Sequence, residues 1–191
     1  FNNQIIADYI SSRLFDLNTS IAVTEPLSKN FMKQLSKNYA VYDNRRAGNY
    51  FRCLPDGRLL WGRDIRSINS STSEQIISGT RKDLKKIFPS EKKYFDELVF
   101  DYAWSGKLGY SSNLMPFIFK NKDNLFFLTG FGGHGMNTAA AAATLVKDTI
   151  LGDDHKLEVF SGFYPNWNGG LVGKYLTELY LRWLKFCDTF I

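Results

Sequence analysis

The spacing of apolar positions changes several times along the chain, and each change marks a predicted element. The opening up to about Asn18 has mixed polarity and no helix cap, and reads as the tail of something that precedes it. Ile21, Ala22 and Val23 predict a strand that stops at Thr24-Glu25-Pro26, because proline keeps the residue before it out of the helical region. Ser28 is placed to cap a short helix running through Leu35. Tyr39 to Tyr42 predicts a second strand, Asn44 to Asn49 a polar loop, and Tyr50, Arg52 and Leu54 the alternating positions of a third strand. Pro55-Asp56-Gly57 is a turn signal and apolar residues resume at Leu59-Leu60-Trp61, so residues 50–61 are expected to form a β-hairpin.

After the serine-rich loop of Ser67 to Ser73, helical spacing at Ile76, Ile77, Leu84, Ile87 and Phe88 predicts one or two helices ended by Pro89. Leu98, Phe100 and Tyr102 alternate with Val99, Asp101 and Ala103 in a strand entering Trp104-Ser105-Gly106. Pro116 to Phe119 and Leu125 to Thr129 flank a turn at Asn121 to Asn124, predicting another hairpin. Its second strand runs into Gly130-Phe131-Gly132-Gly133-His134-Gly135, then an alanine-rich helix from Thr138 to Ile150 closed by Gly152. A last helix repeats Leu176, Leu179, Tyr180, Trp183, Leu184 and Cys187 on one face, which is expected to pack on the body of the protein. The fold class expected from these elements is α+β, with a mixed, mostly antiparallel sheet and flanking helices.

Composition narrows the function. At 191 residues, 44% hydrophobic and 23% charged, the chain is an ordinary globular domain, or one and a fraction. Two cysteines and two histidines leave almost no ligands for a zinc site or a disulfide framework, so no metal site is expected. No apolar run reaches the roughly 18 to 20 residues of a membrane span and the N-terminus has no signal core, which makes the cytoplasm the expected compartment and excludes a membrane partner. The net charge of +5 lies mostly in Arg81 to Lys93, interrupted by Asp83 and Glu91, too local for a nucleic-acid partner to be expected. The 16% aromatic share suits either a phenylalanine-rich core or a ligand pocket. Phe1 in place of methionine suggests a fragment whose upstream part is missing.

The chemistry concentrates at the glycine run. A strand, a glycine-rich turn and a helix bring backbone N–H groups and the positive end of a helix dipole to one point, which attracts an anionic group. Gly130, Gly132 and Gly135 satisfy G-x-G-x-x-G, so a nicotinamide-type dinucleotide site is one reading. That fold needs several more strands and helices, whereas the remainder of the chain holds Pro165, Gly169-Gly170 and one helix. A third reading is that the glycines only permit close packing of helix on strand.

The run Trp104-Ser105-Gly106-Lys107-Leu108-Gly109-Tyr110-Ser111-Ser112-Asn113-Leu114-Met115-Pro116, followed by Leu128-Thr129-Gly130-Phe131-Gly132-Gly133-His134-Gly135-Met136, resembles the C-terminal half of FAD-dependent amino-acid and amine oxidoreductases. These form the D-amino-acid oxidase and glycine/sarcosine oxidase superfamily. Thr24-Glu25-Pro26-Leu27 and residues 50–60 (Tyr50-Phe51-Arg52-Cys53-Leu54-Pro55-Asp56-Gly57-Arg58-Leu59-Leu60) resemble the same family, nearest its gamma-glutamylputrescine oxidase branch. The resemblance implies FAD as cofactor of the complete protein, with Gly130, Phe131, Gly132, Gly133, His134, Gly135 and Met136 beside the flavin ring. Met136, Asn137 and Thr138 then open a helix whose N-terminus faces the pyrimidine edge, where charge collects when a substrate C–H delivers hydride. His134 is open to two roles, a flavin contact or a backbone hydrogen bond within the turn.

The resemblance also implies domains: a tail of an N-terminal FAD domain at 1–20, a substrate domain at 21–112, a strand, loop and helix completing the FAD domain at 113–155, and a C-terminal segment and helix at 156–191. Tyr50, Arg52, Trp104, Leu108 and Tyr110 are the expected substrate pocket; no catalytic residue is assigned. Departures from the family are informative. Its amino-acid oxidases carry Leu-Arg-Pro after Trp-x-Gly, the arginine forking to the substrate carboxylate, whereas Lys107-Leu108-Gly109 stand here. Arg52 either substitutes for that clamp or is a solvated hairpin residue. The family's Gly-Gly after the strand at Leu59 reads Gly62-Arg63, which leaves the local geometry open. The segment holding the ADP half of FAD is expected to lie upstream or on a separate chain, so that this chain alone lacks FAD and is inactive. Expected partners are that FAD-binding half, a small amine or amino-acid substrate, and a second copy in a homo-oligomer. The rival reading is a non-enzymatic remnant or binding module that keeps the substrate-domain fold without cofactor.

Overall fold

The computed structural model describes residues 8–35, 39–121, 124–153 and 155–190. The chain divides into two compact units, one from residues 1–17 and 107–177 and the other from residues 18–106 and 178–191.

The second unit is organised by a five-stranded sheet of order β2-β3-β4-β1-β5, formed by β1 (Leu14–Pro26), β2 (Ala40–Tyr42), β3 (Tyr50–Cys53), β4 (Arg58–Arg66) and β5 (Phe100–Ser111). The β1–β4, β2–β3 and β3–β4 pairs are antiparallel, as the α+β reading requires. The hairpin expected at 50–61 is present, its turn closed by the Gly57 N–H on the Leu54 carbonyl with Gly57 at φ 87°. The strand expected at Ile21 to Val23 begins as early as Leu14. Polar Asn18, Thr19 and Ser20 conceal its alternation, and pairing with β4 from Asn18 onward carries them into the ladder. Three helices cover one side: α1 (Lys29–Met32), α2 (Ser73–Ile87) and α3 (Lys92–Glu97). Ser28 accepts from the Phe31 N–H, and Thr72 and Gln75 form a reciprocal capping box on α2. Leu59 and Trp61 of β4 pack with Phe31, Leu84 and Phe95 in one core, where Phe51 stacks on Trp61 at 5.0 Å between centroids. Burial of each such side chain contributes roughly 1.5–3 kcal/mol.

The first unit contains the antiparallel hairpin β6 (Phe117–Lys120) and β7 (Phe126–Thr129), followed by α4 (Gly135–Ile150) and α5 (His155–Glu158). The turn expected at Asn121 to Asn124 includes residues 122 and 123, which lie outside the described residues. Phe117, Phe119 and Phe127 stack along the hairpin, and Tyr9 and Tyr164 complete an aromatic cluster whose two hydroxyls are hydrogen-bonded.

The last helix, α6 (Gly170–Cys187), corrects an expectation. Leu181 and Leu184 are its buried residues, while Leu176, Leu179, Tyr180 and Trp183 are 57 to 66% exposed. Within the second unit its orientation follows from polar clasps. The Glu178 carboxylate accepts the Ser67 and Ile68 N–H groups at 3.0 and 3.3 Å, Lys185 pairs with Asp64, and Asp188 accepts the Arg46 and Ala47 N–H groups at 3.0 and 2.9 Å. Carboxylates that satisfy loop N–H groups bind a helix by its polar side, which turns the rest of its apolar face outward. No helix among the described residues is long and apolar enough to cross a membrane.

Candidate functional site: the glycine loop and the face of β3

From Thr129 at the end of β7 the chain turns through Gly130, Phe131, Gly132, Gly133 and His134 into α4. Gly130, Gly132 and Gly133 have φ of 72°, 55° and 86°, the left-handed region that side chains resist. A Cβ on Gly132 would lie 2.9 Å from Tyr110 Cε1, and one on Gly133 would lie 3.4 Å from Leu108 Cδ1 and 3.7 Å from the Tyr110 hydroxyl. The Gly132 N–H donates to the Gly109 carbonyl at 3.0 Å, and Phe131 bridges to Tyr110. The structure therefore brings two of the expected pocket residues, Leu108 and Tyr110, against the expected cofactor loop. His134 places Nδ1 3.1 Å from the Gly132 carbonyl, which is the backbone role of its two readings.

Helix α4 starts at Gly135 rather than at the expected Thr138. The Asn137 carboxamide oxygen accepts the Thr138 N–H, and Thr138 Oγ1 donates to the His134 carbonyl. Among the described residues the N–H groups of Gly135, Met136 and Asn137 have no acceptor. Three open donors at the positive end of a 16-residue helix, beside a loop that only glycine builds, make a cradle for an anionic or electron-rich edge. The nicotinamide dinucleotide reading finds no support here, because β7 pairs with the antiparallel β6 instead of entering a parallel β-α-β unit.

The other three expected pocket residues belong to the second unit. Phe51 and Cys53 pack toward the core, so alternation places Tyr50 and Arg52 together on the opposite face of β3. The hydroxyl-bearing end of the Tyr50 ring occupies the place of a Gly62 side chain, whose Cβ would stand 1.9 Å from Tyr50 Cζ. This resolves the Gly62-Arg63 departure: Gly62 makes room for Tyr50, while Arg63 crosses Gly79 of α2 and pairs with Asp83 at 2.7 Å. Trp104 stands half-exposed on the edge strand β5, three strand spacings from β3, or about 14 Å.

Sequence reasoning missed the carboxylates that shape the approach to β3. Asp43 accepts the Arg45 and Asn49 N–H groups at 3.1 and 2.9 Å and holds the Arg45 guanidinium. Burial raises its pKa, but these donors outweigh burial and leave it below the usual value. The signal was the run Asp43-Asn44-Arg45-Arg46-Ala47-Gly48, in which an aspartate precedes the N–H groups it can cap; nothing local announces Asp188. In the first unit, burial and the hydrogen bond with Tyr9 push the Tyr164 hydroxyl up to about 12.

Comparison with known proteins settles the family. Residues 6–149 match the family model described as FAD dependent oxidoreductase, DAO. The chain belongs to this family. It is 30% identical over 184 residues to the probable oxidoreductase OrdL of Haemophilus influenzae, covering 95% of this chain and 41% of that protein. It is 26% identical over 159 residues to the gamma-glutamylputrescine oxidoreductase of Escherichia coli, covering 82% and 36% respectively. The chain thus spans about two-fifths of the length of these curated relatives. Its fold resembles L-proline dehydrogenase from P. horikoshii at a TM-score of 0.62 and 19% identity, covering 83% of this chain and 41% of that one. Glycine oxidase from Bacillus cereus follows at 0.57 and 16%, covering 76% and 38%. The glycine cradle is therefore part of an FAD-dependent oxidoreductase domain with an antiparallel sheet, as the sequence motifs implied.

Proposed function

We propose that this chain forms the substrate-facing and ring-facing wall of a flavin-dependent oxidoreductase that oxidises the C–N bond of an amine. The observation that carries this reading is the glycine loop, where left-handed Gly132 and Gly133 rest on Leu108 and Tyr110 and the α4 N–H groups stay open. FAD, when bound, supplies the hydride acceptor. Gly132 and Gly133 let the loop backbone lie close against Tyr110 and Leu108, and the N–H groups of Gly135, Met136 and Asn137 favour negative charge at the edge of a flavin ring. The adenine half of the cofactor falls to a segment like the remaining three-fifths of the curated relatives, on the same chain or a separate one. Exposed Ala139, Ala140 and Ala143 of α4 suit close packing by that segment.

Leu108 indicates the substrate class. Where the family's amino-acid oxidases place arginine, a half-buried leucine offers no donors to a carboxylate, and burying an unpaired carboxylate is costly. The reacting carbon is expected to bear no carboxylate, as fits the gamma-glutamylputrescine named for the Escherichia coli relative. The test is to assemble the chain with its flavin-binding segment and follow peroxide formation or dye reduction. Polyamine-like substrates should turn over faster than glycine, sarcosine or D-amino acids. Faster turnover of any α-amino acid overturns the substrate class, and an assembly that binds no flavin overturns the whole reading.

A further inference from the structure

Arg52 differs from most arginines of its unit. Arg45, Arg58, Arg63, Arg66 and Arg182 are each paired with a carboxylate, and Arg81 donates to the terminal carbonyls of α3 at Asp96 and Leu98. Among the described residues of this unit only the Arg46 and Arg52 guanidinium groups have no partner, and Arg46 sits in the loop before β3. Arg52 stands in the middle of a strand, exposed, on the face turned away from the core.

The register supplies its surroundings. Ala40 and Leu60 lie directly opposite Arg52 on the two neighbouring strands, and the next row is Tyr42, Tyr50 and Gly62. None carries a negative charge. Tyr42 is 67% exposed, and the Tyr50 ring is drawn away over Gly62, so the space before the guanidinium is open. Two tyrosines and an unpaired guanidinium on one flat sheet face combine a planar two-pronged donor with aromatic walls. The strand fixes the arginine backbone, so less freedom is lost on binding than in a loop.

We propose that Arg52, flanked by Tyr42 and Tyr50, is a carboxylate subsite that selects substrates carrying an acid group remote from the reacting amine. This rests on the amine-oxidising function proposed above and deepens it by naming a further group that the substrate carries. A guanidinium forks onto a carboxylate through two parallel hydrogen bonds, an arrangement lysine cannot reproduce.

Two measurements test it. The first uses the 191-residue chain alone, titrated by NMR with 5-aminopentanoate and with pentylamine as control. Shifts at the Arg52 side chain and the Tyr50 ring with the acid alone, lost in Arg52→Gln, support the subsite; equal response to both probes, or survival in Arg52→Gln, overturns it. The second measures steady-state kinetics of the assembled enzyme. Arg52→Gln should raise KM for 5-aminopentanoate about tenfold or more and change KM for pentylamine far less, with Arg52→Lys intermediate. Equal KM changes for the two amines, or none, overturn the subsite while leaving the oxidase reading intact. If the assembly oxidises no amine, the oxidase reading fails and the NMR titration alone decides whether the face binds carboxylates.

Discussion

Gly133 combines two constraints on a single residue. Its φ of 86° strains any side chain, and a Cβ would stand 3.4 Å from Leu108 Cδ1. The strain costs about 1–2 kcal/mol, more for a β-branched residue. In the assembled protein Gly133→Val is expected to abolish flavin binding, measured as visible absorbance after gel filtration, because the strained side chain presses on Leu108 and Tyr110 and shifts the loop. Normal flavin content would remove the loop from the site. Gly62→Ala makes an informative contrast. It displaces the Tyr50 ring, an end free to swing away, and should leave flavin content unchanged while altering the Tyr50 environment seen by NMR.

Elements register different forces. Helix α2 is closed at its N-terminus by Thr72 and Gln75, so Thr72→Ala should lower unfolding stability by about 1 kcal/mol in denaturant titration. The C-terminal part of α6 depends instead on charge. Burial raises the pKa of Asp64 and of Glu178. Lys185 and Arg66 at Asp64, and Arg182 with the Ser67 and Ile68 N–H groups at Glu178, outweigh burial and leave both below their ordinary values of 3.8 and 4.5. A depressed folded pKa means stability that is complete above the unfolded value and lost as pH falls through the folded one. Acid titration of the chain should therefore destabilise this helix only below about pH 4.5, in step with a change in Trp183 fluorescence. A transition centred near neutrality would show that other groups hold it.

Over the whole chain the notable quantity is apolar surface left in water. Leu179, Tyr180, Trp183, Phe186 and Phe190 are all more than half exposed near the C-terminus, and so are Met136 and Leu151 elsewhere. Exposed apolar side chains that touch one another, as the Trp183, Phe186 and Phe190 rings do, favour association. The chain by itself should bind a hydrophobic dye and elute above its 21.9 kDa mass, and a clean monomer that ignores the dye would count against this. It should also purify colourless, because the glycine cradle offers few contacts compared with a whole dinucleotide. Flavin absorbance surviving gel filtration would show that the cradle alone suffices.

Local chemistry made much of the fold legible in the sequence. The Pro55-Asp56-Gly57 turn, the Ser28 cap, the proline after α2 and the strand, glycine run and alanine-rich helix each act within a few residues, so propensity and spacing alone placed them. Ordered motifs carried the family for the same reason: an unusual run such as Gly130 to Gly135 meets a backbone demand that few residue types satisfy. Tertiary structure decided whatever depends on partners distant along the chain. Strand β1 reaches back to Leu14, although polar residues hide its period. Helix α6 faces outward because Glu178, Lys185 and Asp188 meet loop and strand atoms more than a hundred residues away. His134 hydrogen-bonds its own turn, and Arg52 is free because its neighbours on β2 and β4 are uncharged. A one-dimensional pattern reports which residues can form an element, whereas which polar groups stay unsatisfied is known only once every candidate partner has a place in space.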